Sequence, residues 1–368
     1  MTKQMKKLAV RPAVVAPKEP LVRRPVRTRT DAKHLPGFLF RAVSFERGRL
    51  RIIDQTQLPH RVTYLYPTKA AEVVAIIKRL AVRGAPAIGV AAAYGMAVEA
   101  GRLPDRTLKS GLERAARTLV AARPTAVNLK WAILRVMGSE ADSGLTTDAM
   151  RRAVRKEAKR IEAEEVDSSL AMAHHGARIL PMSACVLTIC NTGALAAPGM
   201  GTALGVVFEA HRQGKKPRVY ACETRPLLQG SRLTTLELQR AKIPVTLIAD
   251  SAAASVIDRC DVVLVGADRI ARNGDTANKV GTRMLATLAR AAHKPFYVVA
   301  SSSTFDPATR TGKQIVVEER DGEEVRAFAG CRAAPARTAV FNPAFDVTPA
   351  RLITGFITER GILKPPYR

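Results

Sequence analysis

Short runs of apolar, mostly β-branched residues alternate with helix-length segments through the second half of the chain. The apolar runs lie at 185–189, 218–222, 244–249, 261–266 and 296–300. Helices are predicted between them, near 201–214, 232–241, 251–258 and 279–293. Runs of this composition are typical of strands that are buried on both faces of a parallel sheet. The alternation predicts an α/β fold with a doubly wound, mainly parallel Rossmann-like sheet.

The first half of the chain predicts helices rather than a large sheet. A strand is predicted over 49–54, and a helix over 70–80 because its apolar residues recur on one helix face. An Ala-rich helix should follow Pro86, with two or three more helices before about residue 175. Because a chain of 368 residues favours two domains, we predict a mostly helical N-terminal domain with a short β segment over 36–178 and a Rossmann-like catalytic domain over 179–368.

The C-terminal segment should complete the second domain. A further strand near 314–317 and the extended stretch 340–343 are expected to extend or edge the sheet. A last helix near 349–360 is expected to pack back on the core.

The distribution of charge adds one segment to the predicted organisation of the chain, a basic tail at the N-terminus. Residues 1–35 are rich in Lys, Arg, Pro and Val and show no amphipathic period, so we predict a disordered tail. A transit peptide and a tail that contacts nucleic acid or a membrane are the alternatives. The formal net charge is +27, but the other basic residues are mostly scattered over helices, and aromatics make up only 5% of the chain. We therefore predict a solvated surface whose field attracts phosphates rather than a nucleic-acid site, and the tail is the one segment for which a nucleic-acid contact stays an alternative.

Several classes of protein and site are disfavoured by the sequence. No stretch is long and apolar enough to cross a membrane, and no apolar segment follows the basic start as in a secretory signal. Five irregularly spaced cysteines favour reduced thiols in a cytoplasm, and no CxxC or HxxxH spacing suggests a zinc site. Neither GxGxxG after the first strand nor GxxxxGKS/T is present, which disfavours nicotinamide dehydrogenases and nucleotide hydrolases.

Each of the five predicted strands leads into a polar residue that can take part in chemistry. These residues are Cys190, Glu223, Asp250, Asp268 and Ser301. In open parallel sheets, ligands bind beyond the carboxyl ends of the strands. An enzyme with its active site along this edge is therefore the first hypothesis.

Cys190 and Asp268 carry the strongest chemical signals. Cys190 is followed at once by polar residues and a glycine, so it is either a reactive thiol among free amides or a small buried filler. The apolar run before Asp268 should desolvate its carboxyl and raise its pKa, which favours a neutral acid that can donate a proton. A salt bridge to Arg269 and a helix cap are the alternatives for Asp268.

Three loop segments are candidates for binding an anion. Residues 83–86 precede a helix, so free amides and a guanidinium could bind phosphate there; an ordinary turn with a surface arginine is the alternative. Arg123 lies before another helix, where it could meet an anion. Asn278 and Lys279 follow an Asn-Gly turn at a predicted helix start, where they could hold a phosphate or sugar hydroxyls.

Two charged pairs have local explanations. Glu223 and Arg225 either pair with each other or contact a ligand. Arg232 and Glu237 are predicted to form a surface pair on the next helix.

Seven motifs that stand in order resemble one family of enzymes. They are VRGAPAIG (82–89), RPTAVNL (123–129), CNTGALA (190–196), ETRPLLQG (223–230), GADRI (266–270), NGDTANKVGT (273–282) and NPAFDVTP (342–349). Together they resemble the S-methyl-5-thioribose-1-phosphate isomerases, from about residue 45 to the C-terminus. The same superfamily holds ribose-1,5-bisphosphate isomerases and the alpha, beta and delta regulatory subunits of initiation factor 2B. Residues 318–321 and the last motif are more similar to the methylthioribose branch.

The resemblance implies a cytoplasmic, homodimeric aldose–ketose isomerase of methionine salvage, which is an intramolecular oxidoreductase without a metal or an organic cofactor. Its substrate would be a phosphorylated pentose, S-methyl-5-thioribose 1-phosphate. Asp268 would be the proton donor, and Cys190 would support the transition state. The residues that would contact the substrate are Arg83, Gly84, Ala85, Arg123, Gln229, Asn278 and Lys279.

The chain departs from the family pattern at several positions. Residues usual in the family (His, an acid, Trp, Tyr and Pro) are replaced by Ile189, Cys222, Leu236, Arg283 and Ser301. These departures leave the substituent at C5 open, with 5-deoxyribose 1-phosphate and ribose 1,5-bisphosphate as alternative substrates. A non-catalytic, initiation-factor-like regulatory subunit is a further alternative, but such a subunit would be expected to lose the thiol at 190 and the acid at 268.

Overall fold

A computed structural model of the chain describes residues 35–123, 127–139, 146–328 and 330–367. Apart from Leu35, the predicted tail 1–35 lies outside the described residues, so its disorder stays a prediction. Within these ranges, none of the helices combines the length and the apolar character that a membrane crossing needs.

The described chain begins with three strands and five helices, and helices and strands alternate from β4 to β7. The helices are α1 (Ala70–Lys78), α2 (Ala85–Arg102), α3 (Leu108–Val120), α4 (Val127–Gly138), α5 (Thr147–Ala177), α6 (Ala203–Arg212), α7 (Thr235–Arg240), α8 (Ala253–Val256), α9 (Thr282–Ala291) and α10 (Glu323–Arg326). The strands are β1 (Val43–Glu46), β2 (Arg49–Ile53), β3 (Tyr64–Leu65), β4 (Cys185–Thr188), β5 (Arg218–Cys222), β6 (Val245–Ile248), β7 (Val262–Val265), β8 (Arg269–Ala271), β9 (Thr276–Lys279), β10 (Phe296–Val299), β11 (Phe305–Asp306), β12 (Ala327–Phe328), β13 (Cys331–Arg332), β14 (Phe345–Thr348), β15 (Gly355–Thr358) and β16 (Gly361–Leu363).

Helices α1–α5 and the small antiparallel sheet β1–β2–β3 form the N-terminal part of the described chain. They enclose one apolar core, to which α2 contributes mostly alanine side chains. At its edge the ring of Phe45 stacks on that of Tyr94, with 4.9 Å between the centroids. The predicted strand over 49–54 and the helices over 70–80 and after Pro86 are confirmed as β2, α1 and α2. The limits of the two domains stay predictions.

A seven-stranded sheet with the order β6–β5–β4–β7–β10–β15–β16 forms the centre of the C-terminal part. Neighbouring strands from β6 to β15 are parallel, and β16 is antiparallel to β15 at the edge. Apolar clusters cover the sheet, so β4 and β7 are buried along their whole length. The strand order reverses between β4 and β7, which makes their carboxyl ends the topological switch point. The five predicted strands and the mainly parallel sheet are confirmed.

The predicted last helix near 349–360 is wrong. A 3-10 turn at Ala350–Leu352 leads instead into β15, which pairs with β10, and then into the edge strand β16. Phe356 and Ile357 of β15 are fully buried in the sheet core. The period of a short apolar run is the same evidence for a strand as for a helix. Here the pairing with β10 makes the segment a strand.

The predictions for two other C-terminal stretches are also wrong. The stretch 314–317 contains no strand, because a 3-10 turn ends at Gln314 and irregular backbone follows. The stretch 340–343 does not join the central sheet, and contributes only a bridge between Pro343 and Glu319. The edge of the central sheet is provided by β16 instead.

A second sheet with the order β11–β8–β9–β14 places the segment that follows Asp268. The predicted turn at Asn273–Gly274 is confirmed, but the helix start at Asn278 and Lys279 is wrong. Both residues lie in β9, which pairs antiparallel with β14. Helix α9 begins only at Thr282, after a left-handed glycine.

Candidate active site

One cavity lies beyond the carboxyl ends of β4 and β7 and borders the N-terminus of α2. All nine residues to which the motif resemblance assigns catalysis or substrate binding line it. They are Arg83, Gly84, Ala85, Arg123, Cys190, Gln229, Asp268, Asn278 and Lys279. The structure brings them together from both halves of the chain, and what each does for a substrate stays a prediction.

Cys190 stands in a conformation that its neighbours impose. Its φ is 66°, in the left-handed region that a side chain other than glycine seldom adopts. The Cys190 N–H donates to Oγ1 of Thr224 at 2.8 Å, and Oγ1 of Thr234 donates to its carbonyl at 2.6 Å. Its Sγ lies 3.6 Å from Nη2 of Arg83. Strained backbone of this kind is typical of functional sites, and a sulfur beside a guanidinium is not explained by packing alone.

Asp268 directly precedes β8, and its N–H donates to the carbonyl of Ala277 at 2.9 Å. Burial raises the pKa of its carboxyl, and the positive charges of Lys279, Arg123 and Arg83 oppose that rise. The helix-cap alternative is wrong, because a strand follows Asp268 rather than a helix. A carboxyl with a raised pKa in a cavity is a candidate proton donor.

Three cationic side chains make the cavity attractive to an anion. Lys279 is buried, with its Nζ 5.3 Å from the ring centre of Phe345. Burial lowers the pKa of Lys279, while the nearby Cys190 and Asp268 oppose the shift. Arg83 and Arg123 reach the same cavity. A phosphate placed among these groups would meet charge-assisted donors with little competing water.

The N-terminus of α2 adds main-chain groups to the same wall. Gly84 has a φ of 89°, and a Cβ there would lie 2.3 Å from the carbonyl oxygen of Ala196. Only glycine therefore lets the two backbones approach so closely. The helix begins at Ala85, and Pro86 occupies its first turn as predicted. The positive end of the dipole of this long helix favours an anion in the cavity.

Two polar side chains supply neutral hydrogen-bonding groups. Gln229 is buried, and its Oε1 has no hydrogen-bond partner among the described residues. A buried oxygen of this kind needs a hydrogen-bond donor, which a hydroxyl of a bound sugar could provide. Asn278 is oriented by a bond from its Nδ2 to Oγ1 of Thr282 at 2.9 Å.

Several lining residues were not singled out in the sequence. They are Leu80, Pro86, Asn191, Thr192, Ala196, Ala197, Thr202, Leu227, Gly266, Ala267, Val299, Ala300, Thr304, Arg320, Ala344 and Phe345. Asn191 and Thr192 could have been found because they directly follow Cys190. Arg320 had only the charged run 318–321 as a signal. Phe345 lies in the motif 342–349, but nothing in the sequence indicated that the pairing of β14 with β9 would bring it to the cavity.

Three of the five polar residues at strand ends do not line the cavity. Asp250 accepts the main-chain N–H groups of Thr224 and Arg225 at 2.8 and 2.7 Å, so it shapes the loop after β5. Ser301 bonds to Ser303 at 2.8 Å. Asp250 and Ser301 therefore make local structural contacts, whereas β4 and β7 lead into Cys190 and Asp268 in the cavity.

In the loop after β5, the contacts of Arg225 differ from the predicted pairing with Glu223. The Arg225 guanidinium donates to the carbonyl of Val325 at 3.0 Å and lies over the ring of Phe328. Arg225 therefore holds the loop against α10 and β12.

The predicted surface pair of Arg232 and Glu237 is wrong. Arg232 is half-buried and donates to the carbonyls of Leu58, Leu227 and Gln55. Glu237 is buried and bonds to the loop that carries Cys190. Tertiary packing turned both side chains away from the helix surface that their spacing suggested.

A second buried carboxyl lies where α5 meets the loop after β10. Glu165 accepts a hydrogen bond from Oγ of Ser303 at 3.4 Å, and Ser303 accepts one from Nδ2 of Asn128 at 2.9 Å. Burial raises the pKa of Glu165 to about 7, the Ser303 bond opposes the rise, and the charge of Glu359 adds to it. Glu165 is therefore a source of pH-dependent stability.

We predict that Glu165→Gln becomes more stable relative to the parent protein as pH rises. The folded pKa exceeds the unfolded one, so the contribution of Glu165 is full below the unfolded value of 4.5 and is lost as pH rises through about 7. A shift of this size corresponds to roughly 3 kcal/mol. Denaturant unfolding between about pH 5 and pH 8 measures it, with Glu164→Gln as the control because Arg135 lowers the pKa of Glu164. Parallel curves for the parent and Glu165→Gln would contradict the prediction.

A largely parallel sheet with a cationic cavity at its switch point defines an α/β protein whose cavity suits phosphorylated ligands. The profile of the Initiation factor 2 subunit family matches residues 81–365. The chain therefore belongs to that family.

Relatives with two different sugar-phosphate activities are similar to nearly the whole chain. A methylthioribose-1-phosphate isomerase of Pelotomaculum thermopropionicum is 51% identical over 330 residues, covering 87% of this chain and 90% of the relative. A 5-deoxyribose 1-phosphate isomerase of Moorella thermoacetica is 47% identical over 334 residues, covering 89% and 95%.

Solved structures are similar over the same length. The 5-methylthioribose 1-phosphate isomerase of Pyrococcus horikoshii OT3 has a TM-score of 0.84 and 42% identity, covering 92% of this chain and 97% of that one. A structure described as the delta subunit of translation initiation factor eIF-2B from A. fulgidus has a TM-score of 0.80 and 43% identity, covering 89% and 97%. Proteins described as an isomerase and as an initiation-factor subunit thus share this fold.

Proposed function

We propose that the protein is an aldose–ketose isomerase that converts S-methyl-5-thioribose 1-phosphate to S-methyl-5-thioribulose 1-phosphate in methionine salvage. The observation that carries the proposal is the meeting of Cys190 and Asp268 in one cavity with Arg83, Arg123 and Lys279. The similarity to the Pelotomaculum and Pyrococcus isomerases supports the same activity.

Asp268 is suited to begin the reaction as an acid. The phosphate on C1 prevents simple opening to a free aldehyde, so the ring oxygen must be protonated as its bond to C1 breaks. A neutral carboxyl provides that proton, and burial favours the neutral form of Asp268. The hydrogen on C2 then passes to C1, either directly as a hydride or as a proton by way of an enediolate-like intermediate. The C2 hydroxyl returns a proton to the Asp268 carboxylate, and C2 becomes the ketone carbon.

Cys190 and the cations act on the charge that develops during this transfer. The sulfur of Cys190 faces the same cavity as Asp268, and the Arg83 guanidinium lies beside it. Positive groups already in place stabilise developing negative charge without reorganisation. On the proton route, a cavity walled by buried side chains also protects the enediolate-like intermediate from loss of phosphate.

An apolar recess adjoining the cavity supports an apolar substituent at C5. It is lined by Gly84, Ala85, Ile88, Arg123, Asp268, Arg269, Ala277, Ile315, Val316 and Phe345. Arg123 pairs with Glu318 at 2.9 Å, and Arg269 lies 3.8 Å from Asp306. Since carboxylates face both guanidiniums, the recess favours a methylthio group over a second phosphate.

A 5-deoxyribose 1-phosphate isomerase is the second candidate. The Moorella relative with that activity is 47% identical to this chain, and the same recess would accept a bare methyl group. The regulatory-subunit alternative is less well supported, because this chain retains both the thiol and the buried acid in the cavity.

The same proposal has three further parts. The reaction needs neither a metal nor an organic cofactor, the protein is a homodimer, and it is located in the cytoplasm. They rest on the resemblance of the motifs to the methylthioribose-1-phosphate isomerases. Sedimentation of the purified full chain tests the dimer, and turnover after treatment with a chelator tests the independence from metal.

The proposal is tested by ketose formation from pentose 1-phosphates that differ at C5. We expect the highest kcat/KM for the methylthio substrate, a value lower by about 10- to 200-fold for the 5-deoxy sugar, and the lowest for ribose 1,5-bisphosphate. Asp268→Asn purified in parallel controls for a contaminating isomerase. A preference for the 5-deoxy sugar would establish the second candidate, and no turnover of any sugar would support a regulatory subunit.

A further inference from the structure

A buried carboxyl packs behind the loop that carries Cys190. Glu237 of α7 is 2% exposed. Its Oε1 accepts Nδ2–H of Asn191 at 2.7 Å, and its Oε2 accepts the main-chain N–H of Leu195 at 3.3 Å. A Cβ on Gly193 would lie 2.4 Å from Oε1, so the loop approaches the carboxyl as closely as a glycine allows.

Asn191 links this carboxyl to the cavity. Its Oδ1 accepts Nη1–H of Arg83 at 2.8 Å, and its main-chain oxygen accepts Nη2–H of Arg83 at the same distance. That Nη2 is the atom 3.6 Å from Sγ of Cys190. Arg83, Asn191 and Cys190 line the cavity, whereas Glu237 lies behind them.

The donors and acceptors of this chain of contacts fit in one arrangement. An ionised carboxylate only accepts hydrogen bonds, and a guanidinium only donates them. The amide of Asn191 must therefore turn its NH2 to Glu237 and its oxygen to Arg83. Burial raises the pKa of Glu237 to about 7, and the donors from Asn191, Ala194 and Leu195 oppose that rise by favouring the carboxylate.

We propose that Glu237 is a positioning residue, which holds the Arg83 guanidinium beside Cys190 by orienting the side-chain amide of Asn191. Arg83 is thereby kept ready to receive an anionic substrate. The inference rests on the proposed function only for the identity of that anion.

Replacing Glu237 with glutamine should disturb Arg83 without removing a buried side chain. The new amide has one acceptor oxygen for two donors. If the Asn191 amide turns over to accept from it, the Asn191 NH2 group faces the Arg83 guanidinium, and two donors oppose each other. Arg83 then leaves its position.

A double-mutant cycle on the full chain separates positioning from general stability. Binding of inorganic phosphate is measured by calorimetry at about pH 8, where Glu237 is ionised, for the parent, Glu237→Gln, Arg83→Met and the double variant. We expect Glu237→Gln to weaken phosphate binding and raise KM by about tenfold or more, with a smaller change in kcat. In the Arg83→Met background it should have no further effect, because the residue through which it acts is gone.

Glu209→Gln is the matched control. Glu209 is also a buried glutamate, but it bonds to Arg212 and Gln213 at the C-terminal end of α6. It should leave phosphate affinity unchanged.

Additive effects of Glu237→Gln and Arg83→Met would overturn the inference, as would unchanged phosphate binding by Glu237→Gln or a parent protein that binds no phosphate. If Glu237→Gln does not fold, Asn191→Ala takes its place in the cycle, and additivity with Arg83→Met again decides against the inference. Since the titration needs no substrate, a non-additive cycle in a protein that isomerises none of the sugars would reject only the proposed function.

Discussion

Replacing Asp268 with asparagine should lower turnover by about 10²–10⁴-fold while leaving the fold and the affinity for phosphate largely intact. Asparagine has nearly the same shape as the neutral acid, but it has no proton to give to the ring oxygen. Because burial disfavours the charged form of Asp268, a neutral amide should not destabilise the protein. Ketose formation, the midpoint of thermal unfolding and phosphate binding measure the three properties.

Asp261→Asn is the control for Asp268→Asn. The two aspartates flank the same strand, β7, but Asp261 lies at its other end and accepts the N–H of Cys185 at 2.7 Å. It should keep full turnover. Full turnover by Asp268→Asn would remove this residue from the mechanism.

Replacing Cys190 with alanine should lower kcat by about 10²-fold or more and change the free energy of unfolding by only about 1 kcal/mol. The reason is that the sulfur faces Arg83 and the cavity. The main chain of residue 190 is kept in place because its N–H donates to Oγ1 of Thr224 and its carbonyl accepts from Oγ1 of Thr234. Steady-state kinetics and denaturant unfolding separate the two effects.

Cys260→Ala is the matched control for Cys190→Ala. Cys260 is also buried, and its Sγ lies 3.9 Å from that of Cys185. Unlike Cys190, it precedes a strand, β7, instead of following one. Its replacement should cost stability and spare turnover. A parent-like rate for Cys190→Ala would reduce Cys190 to a packing role.

The sheet and the chemical centre of the site could be predicted because both depend on local sequence. Strands such as β4 and β7 are continuous apolar runs, and a residue that follows a parallel strand lies at the carboxyl edge of the sheet whatever the details of packing. Cys190 and Asp268 were found for that reason. Residues 83–85, Arg123 and the pair at 278–279 were candidates from the loops that carry them, whereas Gln229 came only from the motif resemblance.

The remaining features depend on distant contacts. Thr276–Lys279 has few residues that favour strands, and it becomes β9 because β14 pairs with it. Glu237 has the helix spacing of a surface residue, and its burial depends on the close approach of Gly193. Strand β15 was mistaken for part of a helix because four residues are too few to show a period.

The central claim is that Asp268 carries its proton when the substrate arrives. Carbon-13 NMR of protein labelled at the aspartate side-chain carboxyls, recorded across the pH range, measures this directly, with Asp268→Asn to assign the signal. Assignment matters because burial also raises the pKa of Asp346, to about 6. The account predicts a signal, absent from the variant, that titrates above the ordinary aspartate range. A residue-268 signal that stays at the ionised position down to the ordinary aspartate pKa would contradict it.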